Sequence, residues 1–402
     1  MKVNYSIYML NNFFNKSMKI MSENFLDKLQ KGKLLVTFPD YTERLFIGRQ
    51  KGYEANIKLN NYKIFSKLTR KAATGLAESY MDGDFETKDL SKLLLFSRDN
   101  ESDFLKNKKN FIVDYCVKFK HFLNENTKKK SKKNIEYHYD LGNKFYEHWL
   151  DQSMTYSSAI FSPNNDNLYN AQINKYNQIA KPMNLSENST LLEIGCGWGG
   201  FSTYVAKNYK SKVKAITISK EQYEYASQRI SKEGLNEKIS IEMRDYRDIN
   251  EKYSNIASIE MFEAVGKKYW ITFLDKIKNS LLSEGVASLQ IITINEIMAD
   301  KYQSNPDFIQ QYIFPGGVLP SKSQLKNISS DIGLSFIELQ NFKNSYAKTL
   351  QIWNDKFQIS WPEIASQGFS LRFKKMWEYY LSYCEVGFLT GATDVSHFII
   401  KK

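Results

Sequence analysis

The chain is predicted to fold as an α/β protein on a mostly parallel sheet, preceded by a small α+β domain. From Thr190 onward, short apolar runs alternate with helix-compatible segments, the rhythm of βαβ units. The first of these runs, Thr190 to Ile194, ends in the glycine burst Gly195-Cys196-Gly197-Trp198-Gly199-Gly200. Ahead of Asn124 the alternation is absent, and strand and helix patterns are mixed.

The elements follow in order. Residues 1 to about 22 are interrupted by Asn11, Asn12, Asn15 and Lys16, too polar for a signal-peptide core, and read as a loose leader. Residues 23 to about 122 form the small domain. Its strands are Lys33 to Phe38, stopped by Pro39-Asp40, and Ala55 to Leu59 with period-two alternation. Helical patterns run from Lys67 to Tyr80 and from Asp89 to Arg98, with a turn at Met81-Asp82-Gly83-Asp84 between them. Residues 123–136 are a basic linker holding Lys128, Lys129, Lys130, Lys132 and Lys133.

Residues 137–402 form the second domain. After Thr190 to Ile194 come strands Val213 to Ser219, Ile239 to Asp245, Ile256 to Phe262 and Val286 to Ile294. The helix Lys220 to Lys232 has Ser219 as N-cap, Gln222 at its third position and Gly234 just past its end. Lys267 to Leu282 fills the last crossover. Gln310 to Gln324 and the aromatic tail from Trp353 lie outside the alternation and are candidates for a substrate cover.

Composition narrows the function. Of 402 residues, 42 % are hydrophobic, enough for two or three domains with real cores. The net charge of +12 suits an anionic partner, nucleic acid or an anionic lipid surface. Three scattered cysteines, Cys116, Cys196 and Cys384, make neither a metal-ligand pair nor a disulfide framework, so a cytosolic setting without a metal is expected. No apolar run reaches the roughly 18 residues of a membrane span.

The glycine loop is the first chemical signal. Glycines there let a backbone approach a ligand that a Cβ would hold away. Glu193 stands where a ligand's cationic end could be met. Adenosylmethionine carries an ammonium and a sulfonium, so the loop reads as a methyl-donor site. A phosphate cradle is disfavoured, since no Gly-Lys-Ser/Thr follows and an acid repels phosphate.

A second set of motifs carries a family resemblance. They are Tyr137-His138-Tyr139-Asp140-Leu141-Gly142-Asn143, Met154-Thr155-Tyr156-Ser157-Ser158-Ala159, Thr217-Ile218-Ser219, Asp245-Tyr246-Arg247-Asp248, Met261-Phe262-Glu263 and Tyr312-Ile313-Phe314-Pro315-Gly316-Gly317. With the glycine loop, they resemble the cyclopropane-fatty-acyl-phospholipid synthases and their mycolic-acid relatives. The resemblance extends to Ala77-Glu78-Ser79-Tyr80-Met81-Asp82-Gly83 in the small domain. It implies a Rossmann-like class I methyltransferase domain acting with adenosylmethionine on the cis double bond of an unsaturated phospholipid acyl chain, to give a cyclopropane ring. It also implies a cytoplasmic protein peripheral at the inner face of an anionic membrane, and allows a homodimer.

Site residues follow from the same resemblance. Adenosylmethionine should contact Tyr156, Ser157, Leu191, Glu193, Gly195, Cys196, Gly197, Trp198, Gly199, Thr217, Ile218, Gln222, Asp245 and Tyr246. Tyr246 offers a ring to adenine and Asp245 an acceptor. The second strand lacks a terminal acid for the ribose, so Gln222 must supply that contact. In the family a bound bicarbonate is thought to remove the proton, held by a glutamate, a histidine, a tyrosine and backbone groups. Glu263 matches the glutamate and Tyr346 the tyrosine, while Cys384 matches a cysteine often marked as active-site. The reaction needs a base and no covalent intermediate, so Cys384 reads equally well as a small buried hydrophobe.

Three departures mark this chain: Ser158 for a common cysteine, Ala264 for a common histidine, and Gln290 for the bicarbonate-binding histidine. The base site is therefore altered, and a methyl- or methylene-branched acyl chain is the alternative product. A nucleic-acid methyltransferase fits poorly, because Glu260-Met261-Phe262-Glu263 puts acids where phosphate would approach. A non-catalytic lipid-binding relic fits poorly with an intact glycine loop.

The basic linker generates a prediction. Each basic residue near an anionic surface contributes about 1 kcal/mol, reduced by salt. Sedimentation with neutral and anionic vesicles should show binding that requires anionic lipid and weakens at high salt. Equal binding under all conditions would leave Lys128 to Lys133 as a solvated linker.

Overall fold

The computed structural model describes residues 15–101, 141–163 and 167–402. The linker lysines, Cys116 and Tyr137 to Asp140 lie outside these residues. The chain divides into two units. One holds the N-terminal residues together with Gly368–Val386, and the other holds the rest up to Gln367 plus Gly387–Lys402. The sequence reading places all of 137–402 in one domain; the segment Gly368–Val386 belongs instead with the N-terminal unit.

The N-terminal unit is built on a four-stranded sheet of order β2-β1-β3-β4. Its strands are β1 (Lys31–Thr37), β2 (Glu43–Ile47), β3 (Gln50–Leu59) and β4 (Phe85–Glu86). The sequence pattern misses β2, because only Phe46 of that edge strand is buried and no alternation shows. The first predicted helix runs Lys63–Met81, broken by a left-handed residue at Ala72 (φ 48°). The second, Leu90–Asp99, starts where Asp89 accepts a bond from the Lys92 amide at 2.9 Å. Val36, Phe38, Phe85 and Phe96 lie in the core beneath the sheet.

The second unit is a seven-stranded sheet of order β10-β11-β9-β8-β5-β6-β7. Its strands are β5 (Thr190–Ile194), β6 (Lys212–Thr217), β7 (Ile239–Met243), β8 (Tyr253–Ile259), β9 (Leu281–Ile294), β10 (Ser335–Asn341) and β11 (Thr393–Lys401). The five strands β5 to β9 are mutually parallel. β11 runs antiparallel to both β9 and β10. β8 and β9 each begin earlier than the apolar runs suggest, at Tyr253 and Leu281. The end of the aromatic tail belongs to the sheet, where β11 lies between β9 and β10.

Local chemistry explains the boundaries. The helix Lys220–Lys232 is capped by the Ser219 hydroxyl, which accepts from the Gln222 amide. The helix Lys322–Asp331 has a capping box between Ser321 and Gln324. The helix Trp270–Ser280 fills the crossover before β9 and buries Trp270, Phe273, Leu274 and Ile277 on one face. These side chains join Leu192, Ile256 and Leu289 from the strands in a single apolar cluster. That cluster fixes the carboxyl ends of β5, β8 and β9, the edge at which an α/β sheet presents its site.

Candidate active site

The glycine loop leaves β5 in a series of left-handed turns, at Gly195 (φ 79°), Gly197 (φ 53°) and Gly199 (φ 80°). Each glycine has its own reason. A Cβ at Gly195 would lie 2.8 Å from Met261 Cγ, and one at Gly199 would lie 3.1 Å from Ala226 Cβ. A Cβ at Gly197 would meet nothing within 4 Å, so that position faces open space and its glycine serves conformation and ligand approach. The loop is also held from outside. Trp198 Nε1 donates to Asn143 Oδ1 at 2.7 Å, and Arg229 donates to the carbonyls of Trp198 (3.0 Å) and Ser153 (2.8 Å). The visible end of the Tyr137–Asn143 motif and the segment after Ser153 thus converge on the glycine loop.

The other expected cofactor residues fall around the same sheet edge, with their side chains variously engaged, except Leu191, which is the second residue of β5 and lies at the opposite end of the strand. Leu191 and Cys196 are buried core residues. Glu193 is buried and accepts a bond from Ser202 Oγ, and loss of solvent pushes its carboxyl up to about 8. Thr217 Oγ1 donates to Gln222 Oε1 at 2.9 Å, which leaves the Gln222 amide nitrogen as the available donor. Ile218 follows at the end of β6. Asp245 is engaged by Arg247, which donates to it through Nε (2.8 Å) and Nη2 (2.6 Å). Tyr246 is a core ring, edge-on to Phe273 at 5.2 Å, with the Arg247 guanidinium 5.4 Å from its centroid. Its hydroxyl, forced up to about 12 by burial, has no hydrogen-bond partner.

Beyond the loop lies an aromatic wall. Tyr156 packs against Tyr146 (5.5 Å), Trp149 (5.4 Å) and Trp353 (5.4 Å). Trp198 closes on Tyr146 at 4.9 Å. Such faces hold a cation without reacting with it.

The chemistry concentrates at the end of β8. Glu260 is the residue there, and its backbone is left-handed (φ 51°), a strained state for a non-glycine that persists only when its surroundings enforce it. They do. Glu260 N donates to Gln290 O at 2.9 Å. The Glu260 carboxylate accepts from Ser158 N (2.9 Å), Gln290 Nε2 (2.6 Å) and Tyr346 Oη (2.6 Å). Ser158 contributes its backbone only, because its hydroxyl donates to Ala159 O. Glu263 stands one helical turn on. One of its oxygens accepts from Ile292 N, while Oε2 is buried with no partner. The loop after Ile313 is tied here as well, through Val318 N donating to Glu263 O at 2.9 Å.

The two carboxyls divide the charge. Desolvation raises both, and the Glu260 charge further raises Glu263, to about 8. Three donors favour the anion on Glu260 and two backbone amides favour it on Glu263, so hydrogen bonding favours the charge on Glu260. Lys175 supplies the buried cation. It is fully buried on the helix Leu168–Ala180, donates to Ser157 Oγ at 2.7 Å, and is lowered to about 7 by desolvation.

The structure therefore brings Ser158, Gln290, Tyr346 and Glu263 together, around a residue the sequence reading does not assign. Glu260 is visible in sequence only as an acid directly after a buried strand, the position at which sheets of this type carry function. Lys175 gives no sequence signal beyond a helix pattern. Cys384 lies half-buried on the helix Leu371–Leu389, in the stretch grouped with the N-terminal unit; the Glu260 cluster is complete without it. Among the described residues no group of His, Cys, Asp and Glu could hold a metal.

Sheet order, glycine loop and aromatic wall define an adenosylmethionine-dependent methyltransferase of the class I fold. Comparison narrows this further. Residues 126–398 match the mycolic acid cyclopropane synthetase family, and the chain belongs to it. It is 36 % identical over 339 residues to the cyclopropane-fatty-acyl-phospholipid synthase of Escherichia coli K12, covering 83 % of this chain and 84 % of that one. It is 30 % identical over 339 residues to a tuberculostearic acid methyltransferase of Mycobacterium tuberculosis H37Rv, covering 82 % and 79 %. A crystal structure of a mycolic acid cyclopropane synthase complexed with SAH and CTAB superposes with a TM-score of 0.63 at 28 % identity, over 67 % of this chain and 98 % of that one. The protein is thus an adenosylmethionine-dependent enzyme that modifies lipid acyl chains.

The open space at Gly197 yields a prediction. Gly197→Val places a branched side chain at φ 53° where the ligand would approach. Calorimetry on the folded variant should detect no adenosylmethionine binding. Unchanged affinity would remove the loop from the cofactor site.

Proposed function

We propose that this enzyme adds the methyl carbon of adenosylmethionine to the cis double bond of an unsaturated phospholipid acyl chain, and that Glu260 takes the proton then released. The observation that carries this reading is the convergence of Ser158 N, Gln290 and Tyr346 on the Glu260 carboxylate. Of these, Gln290 and Tyr346 stand at positions that the family resemblance, together with Glu263, assigns to bicarbonate. In this chain they hold a protein carboxylate, so the acceptor is built in and no bicarbonate is needed.

The residues then have distinct tasks. Adenosylmethionine supplies an electrophilic methyl carried on a sulfonium. The alkene electron pair forms the new carbon–carbon bond as the sulfur–methyl bond breaks, leaving a cation on the acyl chain. Tyr156 offers that charge a ring surface, backed by the buried Trp149 and Trp353, and the three exclude water. Glu260 accepts a proton from the transferred methyl, and the freed C–H pair closes the three-membered ring. Tyr346 and Gln290 fix the carboxylate, and Lys175 balances its charge.

A second product is favoured by one observation. Glu260 is fixed by three bonds, so its reach is set by the strand end. If a hydride moves to the cationic carbon before the methyl proton meets Glu260, loss of that proton gives a methylene branch. One relative is named as a tuberculostearic acid methyltransferase. Both products use the same donor, alkene and base. A saturated methyl branch would need a hydride donor and is not proposed.

The substrate places the enzyme at a membrane surface. No helix among the described residues is long and apolar enough to cross a membrane. The +12 charge supports peripheral contact with anionic lipid at the cytoplasmic face.

The test is turnover and product analysis with a trideuteromethyl donor. Glu260→Gln should lower kcat by about 100-fold or more, the scale of a lost general base, with adenosylmethionine affinity nearly intact. Glu263→Gln exchanges one neutral group for another and should cost far less. Both products lose one deuterium, and NMR separates the upfield ring methylene from an olefinic one. Normal turnover by Glu260→Gln would overturn the assignment of the base.

Activity should also fall on the acid side. Glu260 acts as the anion, and burial raises its carboxyl above the ordinary range. Protonation therefore removes the base as pH drops through that raised value, and the acid limb of kcat should lie above pH 4.5, the ordinary carboxyl value. A limb at or below the ordinary value would show that Glu260 is not desolvated in the working enzyme.

A further inference from the structure

We propose that His397 is a positioning residue for the reaction: it anchors the amide oxygen of Gln290 and so holds the amide nitrogen against Glu260. This inference rests on Glu260 being the base.

The geometry is a file of polar side chains across three neighbouring strands, leading to the end of a fourth. Gln340 on β10 is registered opposite His397 on β11, and His397 opposite Gln290 on β9. Directly opposed residues point to the same side of a sheet. Gln290 is in turn registered with Ile259, the residue before Glu260. Gln340 Nε2 lies 3.3 Å from His397 Nδ1, His397 Nε2 lies 2.9 Å from Gln290 Oε1, and Gln290 Nε2 lies 2.6 Å from Glu260 Oε1. His397 and Gln290 are both fully enclosed.

The directions of these bonds are fixed by chemistry. An amide oxygen only accepts, so His397 Nε2 must carry the hydrogen. A neutral imidazole has one donor and one acceptor, so Nδ1 accepts from Gln340. Burial holds His397 neutral, lowering it to about 3. Every bond in the file therefore donates toward Glu260. The nitrogen end of the amide faces two acceptors, Glu260 Oε1 at 2.6 Å and Ser158 O at 3.4 Å, so the amide cannot turn over without opposing oxygens. If Nε2 did not donate, the buried Gln290 oxygen would lose its partner and the side chain its anchor, and the donor to Glu260 would be loosened, which disfavours the anion.

Other groups facing Glu260 are accounted for. Tyr346 donates from the helix Lys343–Ile359, Glu263 follows on the same chain segment, and Lys175 interacts from the helix Leu168–Ala180. Lys175 is also the charged group that acts on His397. Ser158 donates its amide to Glu260 and accepts from Gln290 Nε2 at 3.4 Å, on the nitrogen side of the amide; the amide oxygen is held by His397.

The experiment is the pH dependence of kcat for His397→Phe and His397→Gln, measured beside Glu260→Gln. In His397→Phe the acid limb should move up by about one unit, lowering kcat about tenfold below the limb, while KM for adenosylmethionine stays put. His397→Gln places an amide donor near the position of Nε2 and should restore the limb. Gln340→Leu, at a half-buried position where folding is not at stake, should shift the limb the same way by less. A purely structural role would lower Tm without moving the limb. If Glu260→Gln is inactive but His397→Phe and Gln340→Leu keep the parent profile, this inference is overturned alone. If Glu260→Gln turns over normally, the base assignment falls and this inference falls with it.

Discussion

The structure depends most on the left-handed turn at Glu260. β8 is a buried parallel strand, and its direct continuation would carry the chain past the sheet edge. The turn stops it with a carboxylate exposed to donors from three directions: β9, the helix Lys343–Ile359 and the segment Tyr156–Ala159. A strained backbone costs on the order of 1–3 kcal/mol. Charge-assisted hydrogen bonds contribute about as much each, which is sufficient to hold it. The same bonds hold the segment Tyr156–Ala159 in place, and with it Tyr156, whose ring belongs to the aromatic wall.

Charge balance follows from that turn. Glu193, Glu260 and Glu263 bring three carboxyls into a region with one buried ammonium, Lys175. Burial of unpaired charge is prohibitive, and proteins avoid it by neutralising groups. Glu263 and Glu193 are each pushed up to about 8, and Lys175 is lowered to about 7. The anion is favoured on Glu260, where three donors converge. This suits the proposed reaction, because a cationic ligand and a transient carbocation both gain from one anion at a defined point. Several dispersed anions would instead compete for the proton.

Much of this was legible in sequence where local chemistry dictates structure. The glycine loop, β5 and the Ser219-capped helix fall where composition and spacing put them, since turns and caps are set by residues near in sequence. Four strands were not legible. β2 has an exposed edge with no alternation, β4 is only two residues long, and β10 and β11 pair only with partners far along the chain. The membership of Gly368–Val386 is likewise a long-range fact. Within the site, Met261-Phe262-Glu263 drew attention to Glu263 through resemblance. Glu260, three residues earlier, is revealed only by the convergence of Ser158, Gln290 and Tyr346 in space.

The departures at Ser158 and Gln290 make sense as a set once Glu260 occupies the anion's place. A diffusible anion must be captured, which favours cationic or strongly donating partners such as histidine. A carboxylate attached to the backbone is present at high effective concentration and needs only orientation. A neutral glutamine suffices for that, provided something anchors its amide. A serine that contributes only its backbone suffices as well, since its side chain no longer meets a ligand. In the proposed reading, one acid at a strand end thus relaxes the demands on its neighbours. The orientation that histidine would have secured by charge is secured instead by directed hydrogen bonds crossing the sheet from β10.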